Sequence, residues 1–168
     1  MIIKTERLLL KNIEDTDKDE LIDIINNPLV KKTYMLPDLF DKESSDLFFQ
    51  KLKNLTNSNK YVAYGIYLKD KIIGFINSVS IENDTIEMGY FIAPDEWNNG
   101  YATEAFKAVI KQLFDMGFKN VEAAHFSDNY ASQAVIKKCG LKRIDKEERI
   151  NYRNKEHIAL YYQIKSKL

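Results

Sequence analysis

Residues Ile92–Phe106 read IAPDEWNNGYATEAF: the tail of an apolar strand, a short polar loop with one glycine, and directly afterwards an alanine-bearing helix. Counting from Ala102, the residues Ala105, Phe106, Val109, Ile110, Leu113 and Phe114 follow at i+3, i+4, i+7, i+8, i+11 and i+12. That spacing makes one continuous apolar face, with Gly117 placed to end the helix. A helix starting at about Gly100–Thr103 leaves its first amide groups without intrahelical acceptors. Gly100 and Ala102 keep those amides sterically open, and the aligned peptide dipoles add partial positive charge, so a phosphate is favoured there. An ordinary loop in which Asn99 or Thr103 caps the helix fits the same residues. Both readings stand at this point. The chain contains neither the Walker pattern G-x-x-x-x-G-K-[ST] nor a G-x-G-x-x-G fingerprint.

The 168 residues suit one domain, 1–168, large enough to bury its own core. Hydrophobic residues make up 45% and charged residues 30%, and 25 Lys+Arg balance 25 Asp+Glu. Zero net charge argues against a bulk electrostatic nucleic-acid binder, which needs a basic surplus. The single Cys139 provides no disulfide framework and accords with a reducing compartment. The opening MIIKTERLLL is too interrupted by charge for a signal peptide, and no apolar run reaches membrane-spanning length. The expectation is a cytoplasmic protein with neither a nucleic-acid nor a membrane partner.

Working outward, Thr5–Ile13 reads as a first strand and Asp15–Asn26 as a helix with an acidic first turn, stopped by Asn-Pro. Lys42–Leu55 reads as a second helix with Leu47, Phe48, Leu52 and Leu55 as its apolar face. Tyr61–Leu68 and Ile72–Val79 form paired strands around the polar turn Lys69–Lys71, and Thr85–Ala93 is a further strand. Val121–Phe126 reads as strand, Ala131–Cys139 as helix, and Arg143–Ile150 and His157–Ile164 as closing strands. Strands mixed with a few helices mean α/β or α+β, with helices covering a central, mostly antiparallel sheet.

Three stretches in order carry a resemblance. Glu87-Met88-Gly89-Tyr90 matches E-x-G-Y, Gly100–Ala105 matches G-x-A-T-E-A, and Asn129, Ser132, Val135, Lys138, Gly140 and Leu141 follow N-x-x-S-x-x-V-x-x-K-x-G-F. With the opening TERLLLKN, the chain resembles the GNAT acetyltransferase superfamily, closest to its Rim-type branch of N-terminal acetyltransferases. The resemblance spans essentially the whole chain. It implies a twisted, mixed, mostly antiparallel sheet of about seven strands with about four helices, splayed in the middle to admit acetyl-CoA. It also implies acetyl-CoA as co-substrate, no metal, and direct acetyl transfer to a primary amine by a monomer or homodimer. The acceptor is a protein N-terminal amine or a small amine such as a polyamine, amino acid or drug. A non-catalytic acyl-CoA-binding regulatory module is the competing class.

Carried onto this chain, the resemblance places the pyrophosphate on backbone amides of Trp97, Asn98, Asn99, Gly100, Tyr101, Ala102 and Thr103. The backbone of Phe91, Ile92 and Ala93 would run beside the pantetheine arm, with Asn129 and Ser132 as further coenzyme contacts. Asn129 also suits a helix N-cap. Trp97 stands where relatives often carry Gln or Arg, and Ile136 stands where many carry an acidic Tyr, so no general acid is assigned. Restoring a Tyr at 136 is expected to leave the fold intact. Strand alternation puts Glu87, Gly89 and Phe91 on one face, and Glu87 matches the family's base position; a solvated strand Glu or a salt-bridge partner is the other reading. Cys139 and His125 read as structural, Glu104 as a first-turn carboxylate favoured by the helix dipole, and Tyr34 and Asp38–Asp41 as part of the acceptor region.

Overall fold

Residues 2–167 are described by a computed structural model. The strand expected over residues 5–13 is shortened to β2 (Leu8–Lys11), and a separate β1 (Ile3–Lys4) precedes it and pairs with it antiparallel. A turn divides them: the Thr5 amide donates to the Leu8 carbonyl (3.0 Å), and the Leu8 amide donates to Thr5 Oγ1 (2.9 Å). The helix expected over residues 15–26 begins as a 3-10 turn, Asp15–Asp17, and continues as α1 (Lys18–Asn26). Asn-Pro does stop it, but the same pair starts a new helix. Pro28 occupies the first turn of the short α2 (Pro28–Lys31), where its missing N–H costs nothing, and Asn27 accepts the Leu29 amide at 2.9 Å.

The chain continues through α3 (Lys42–Thr56), β3 (Ala63–Leu68), β4 (Lys71–Glu82), β5 (Thr85–Ile92), α4 (Tyr101–Asp115), β6 (Asn120–Phe126), α5 (Tyr130–Lys138), β7 (Lys142–Tyr152) and β8 (Lys155–Lys165). The strand order is β1-β2-β3-β4-β5-β6-β8-β7. The described residues thus form eight strands and five α-helices, against an expected seven and four; β1 and the four-residue α2 are the additions. β5 and β6 are parallel, with Thr85, Ile86 and Glu87 opposite Asn120, Val121 and Glu122.

Two compact units divide the chain: one comprises the residues up to Asn77 with Tyr90–Ala105, the other Ser78–Gly89 with the residues from Phe106 onward. In the first, α1 contributes Leu21, Ile22, Ile24 and Ile25 to a core that also holds Phe49, Leu52, Phe75 and Phe91. The buried face of α3 differs from the expected one: Phe49 and Leu52 are buried, Phe48 and Leu55 only partly, and Leu47 faces solvent. Three consecutive apolar residues offer two helical stripes, and packing chose the one through Phe49, Leu52 and Thr56.

In the second unit the buried apolar residues include Ile86, Met88, Phe106, Val109, Leu113, Val121, Ala123, Ile136 and Leu141. The end of α4 follows the sequence. The Phe118 amide donates to the Leu113 carbonyl (3.1 Å) and the Gly117 amide to Phe114 (3.0 Å), the paired bonds of a Schellman termination.

Candidate functional site

In the first unit, β5 leads through a 3-10 turn, Pro94–Glu96, into the exposed residues Trp97–Gly100 and then α4. Gly100 has φ +81°, and its carbonyl accepts the Glu104 amide at 3.0 Å. Gly100 is therefore the residue that caps α4, in a left-handed conformation that a side chain with a Cβ disfavours. The Asn99 side chain instead donates to the Glu96 carbonyl at 3.3 Å. Helix geometry then leaves the first amides of α4 without intrahelical acceptors.

The loop is fastened from far away in the chain. Arg7 donates from Nη1 to the Asn99 carbonyl (2.9 Å) and from Nε to Glu104 Oε2 (2.7 Å), and its backbone N–H reaches Glu104 Oε1 at 2.8 Å. Thr5 donates its hydroxyl to the same Oε1 at 2.6 Å. The Arg7 guanidinium also lies 4.6 Å from the centre of the Tyr101 ring. Burial pushes the Glu104 carboxyl up, but the bonds from Thr5 and Arg7 outweigh it and hold the group below its ordinary range. Glu104 therefore does more than meet the helix dipole; it joins the loop to the segment before β2.

Along β5, the Trp97 indole N–H donates to the Ile92 carbonyl (2.8 Å), and the Ala93 amide donates to the Ile73 carbonyl (2.7 Å). A Cβ at Gly74 would come within 2.3 Å of the Phe91 carbonyl oxygen, so only glycine allows β4 this close to β5. The Phe91 ring is buried between Tyr34 (5.4 Å between centroids) and Phe75 (6.1 Å). Tyr34 donates to Asn77 Oδ1 at 3.1 Å. Of the region after the first helix, Asp38 pairs with Lys31 (2.8 Å) and Asp41 caps α3 through the Ser44 amide (2.7 Å).

In the second unit, Glu87 sits partly buried on β5, where Ser80 Oγ donates to its Oε2 at 3.2 Å. Its register partner on β6 is Glu122, which is buried and accepts from Lys146 Nζ (2.9 Å) and Gln163 Nε2 (2.8 Å). Tyr161 donates to Glu148 Oε2 at 2.9 Å, and Lys146 Nζ lies 4.1 Å from the centre of the Tyr161 ring. Lys146 falls within an irregularity of β7 between Arg143 and Glu147, where three residues of β7 stand opposite one, Tyr161, on β8. Extra residues of this kind re-aim side chains, and here the result is a cation brought to Glu122. Burial pushes the Glu87 carboxyl up; Ser80 and Lys146 draw it down, and Glu122 and Glu148 add to the rise, leaving it above its ordinary value. A carboxylate shifted this way is better matched to proton uptake near neutral pH.

Sequence reasoning missed Ser80, Glu122, Lys146 and Tyr161, because their meeting depends on register and a bulge. Asn129 is the N-cap of α5 through Oδ1, accepting the Ser132 amide at 3.1 Å. Ile136 is 0% exposed, so its side chain belongs to the core and a Tyr there would overpack it, contrary to the expectation of an intact fold. His125 is buried, its Nδ1 2.6 Å from the Phe126 carbonyl oxygen and its Nε2 3.3 Å from the Tyr162 hydroxyl. Burial raises the Cys139 thiol to about 11, which suits packing rather than nucleophilic attack. No described helix is long and apolar enough to cross a membrane.

Known proteins agree with this architecture. The family model of the acetyltransferase (GNAT) domain matches residues 7–142. The uncharacterized N-acetyltransferase YnaD of Bacillus subtilis is 30% identical over 147 residues, 85% of this chain and 84% of its own. A GNAT-family acetyltransferase from Bacillus anthracis has a TM-score of 0.84 at 26% identity over 98% of each chain. RimL, a ribosomal α-N-protein acetyltransferase solved with coenzyme A, has a TM-score of 0.88 at 17% identity over 98% of each chain, a likeness of fold. The chain belongs to the GNAT acetyltransferase family. It is an acetyl-CoA-dependent N-acetyltransferase, and the non-catalytic alternative is set aside.

Proposed function

We propose that this N-acetyltransferase acts on a protein N-terminal amine, as a single Rim-type domain working in the cytoplasm as a monomer or homodimer. The family match, which runs through both units, supports the single-domain reading. Fold likeness to RimL supports the acceptor class and leaves a small amine as the alternative.

The backbone of Trp97–Thr103 holds the pyrophosphate. Three features of these residues suit a phosphate: an exposed loop, a left-handed Gly100 without a Cβ, and the start of a 15-residue helix. The edge of β5 at Phe91–Ala93 lies along the pantetheine arm. The Ile92 carbonyl already accepts from Trp97 but has a second lone pair. Asn129 and Ser132 add contacts from the start of α5.

The observation that carries the mechanism is Glu87, a half-buried carboxylate bonded to Ser80 and shifted toward neutral pH. An acceptor arriving as ammonium must lose a proton before its nitrogen can attack. Glu87 takes that proton, directly or through a water. The nitrogen lone pair then forms the amide bond at the thioester carbonyl carbon, the carbon–sulfur bond breaks, CoA leaves as thiolate, and the acylated nitrogen gives up its second proton to solvent. A thiol of pKa ~8.5 leaves without a dedicated acid, and solvent returns the proton. Purified protein assayed for CoA release against a panel of peptides and small amines tests the reading. Turnover with amino-terminal peptides supports it; turnover confined to small amines shifts the assignment to the alternative.

A further inference from the structure

Arg7 lies 92 residues before Asn99 and 97 before Glu104, yet it bonds to both. Its Nε and Nη2 each lie 2.7 Å from Glu104 Oε2, and the other carboxylate oxygen takes the Arg7 backbone N–H and the Thr5 hydroxyl. Its Nη1 holds the carbonyl immediately before Gly100, and its guanidinium faces the Tyr101 ring immediately after. The loop is thereby gripped on both sides of Gly100. Glu104 neutralises the guanidinium, so the arrangement supplies geometry rather than net positive charge.

We propose that Arg7 is the positioning residue of the coenzyme loop, fixing the Asn99–Tyr101 backbone in the conformation that presents the first amides of α4. The inference rests on reading Trp97–Thr103 as the pyrophosphate loop and adds what keeps that loop in shape. Without the grip, Asn98 (φ 63°) and Gly100 (φ +81°) have nothing from the segment before β2 to hold their left-handed conformations, and the competent conformer becomes one of several. Apparent affinity falls by the fraction of molecules still competent, so a drop to about one tenth weakens binding about tenfold. Lysine cannot replace the fork, because a point charge on a flexible stem does not span Asn99 and Glu104 together.

The test is calorimetry of CoA, and of its fragment 3′-phosphoadenosine diphosphate, on wild type, Arg7→Met, Arg7→Lys, Thr5→Val and Gly100→Val, each well below its melting temperature. The expected result is about a tenfold loss for both Arg7 variants, equal for CoA and the pyrophosphate fragment, with faster hydrogen exchange of the loop amides. Thr5→Val, which removes one donor to Glu104, gives a smaller loss in the same direction and serves even where Arg7→Met does not fold. Wild-type affinity in Arg7→Lys would mean that charge alone mattered and would overturn the positioning role. Wild-type affinity in Arg7→Met beside a weakened Gly100→Val would overturn it too. Wild-type affinity in both Arg7→Met and Gly100→Val would instead overturn the loop reading itself.

Discussion

In the coenzyme loop proposed at Trp97–Thr103, the groups that would meet a ligand are backbone amides, and the side chains around them fix the chain's path. Around Glu87 the backbone is an ordinary strand ladder, and side chains from β4, β6, β7 and β8 set the surroundings of the proposed base. A backbone site would tolerate changes of side chain, so Trp97 is compatible with it, but it would not tolerate a changed φ at Gly100. A side-chain site reverses this: its backbone is replaceable strand, and loss of one functional group removes the chemistry.

The sharpest way to break the contrast is Glu87→Gln, which keeps the shape and removes the proposed base. Turnover near neutral pH is expected to fall by ~10²–10⁴, with acetyl-CoA affinity unchanged and part of the rate recovered at higher pH as the acceptor amine becomes neutral. Stability carries the opposite sign. A carboxyl whose folded pKa is raised contributes stability below its unfolded pKa and loses it as pH rises through the folded value. At neutral pH the wild-type carboxylate is therefore a cost, and the glutamine variant is expected to melt at the same or a higher temperature. A pH–rate profile beside melting curves checks both; wild-type turnover across the profile would remove Glu87 from the mechanism.

Gly100→Val probes the other side. A β-branched residue at φ +81° costs roughly 1–2 kcal/mol and crowds the amides, so CoA affinity should weaken by about tenfold, the equivalent of ~1.4 kcal/mol. Unchanged affinity by calorimetry, or a coenzyme complex with its phosphates elsewhere, would end the backbone account.

Ile136→Tyr has a smaller expected effect, overpacking by ~1–3 kcal/mol with no gain in turnover, read from denaturant midpoints beside rates. A faster enzyme of unchanged stability would show that the hydroxyl had found a route to the sulfur. The smallest effect belongs to Asn129→Ala, which removes the cap of α5 at a cost of ~1 kcal/mol. A loss of CoA affinity beyond that expected from the cap would mark Asn129 as a coenzyme contact as well.

What depends on neighbours in the chain was legible in the residues. The periodicity from Ala102 to Phe114 specified α4 and its buried face, Gly117 its end, and the alternation in β5 put Glu87 opposite the buried Ile86 and Met88. The ordered motifs were enough for the family. Where local rules left the choice open or pointed the wrong way, tertiary structure corrected them: Leu47 read as inward on α3 where Phe49 is buried, and Asn99 or Thr103 read as the cap of α4 where Gly100 stands. Packing decided the first and a left-handed backbone the second. The tertiary structure alone brought Arg7 to Glu104, and a bulge in β7 brought Lys146 to the carboxylate beside Glu87. The physical reason is range: periodicity and capping are fixed within a few residues, whereas an ion pair or a cross-strand neighbour exists only after register and loop closure have brought distant segments together.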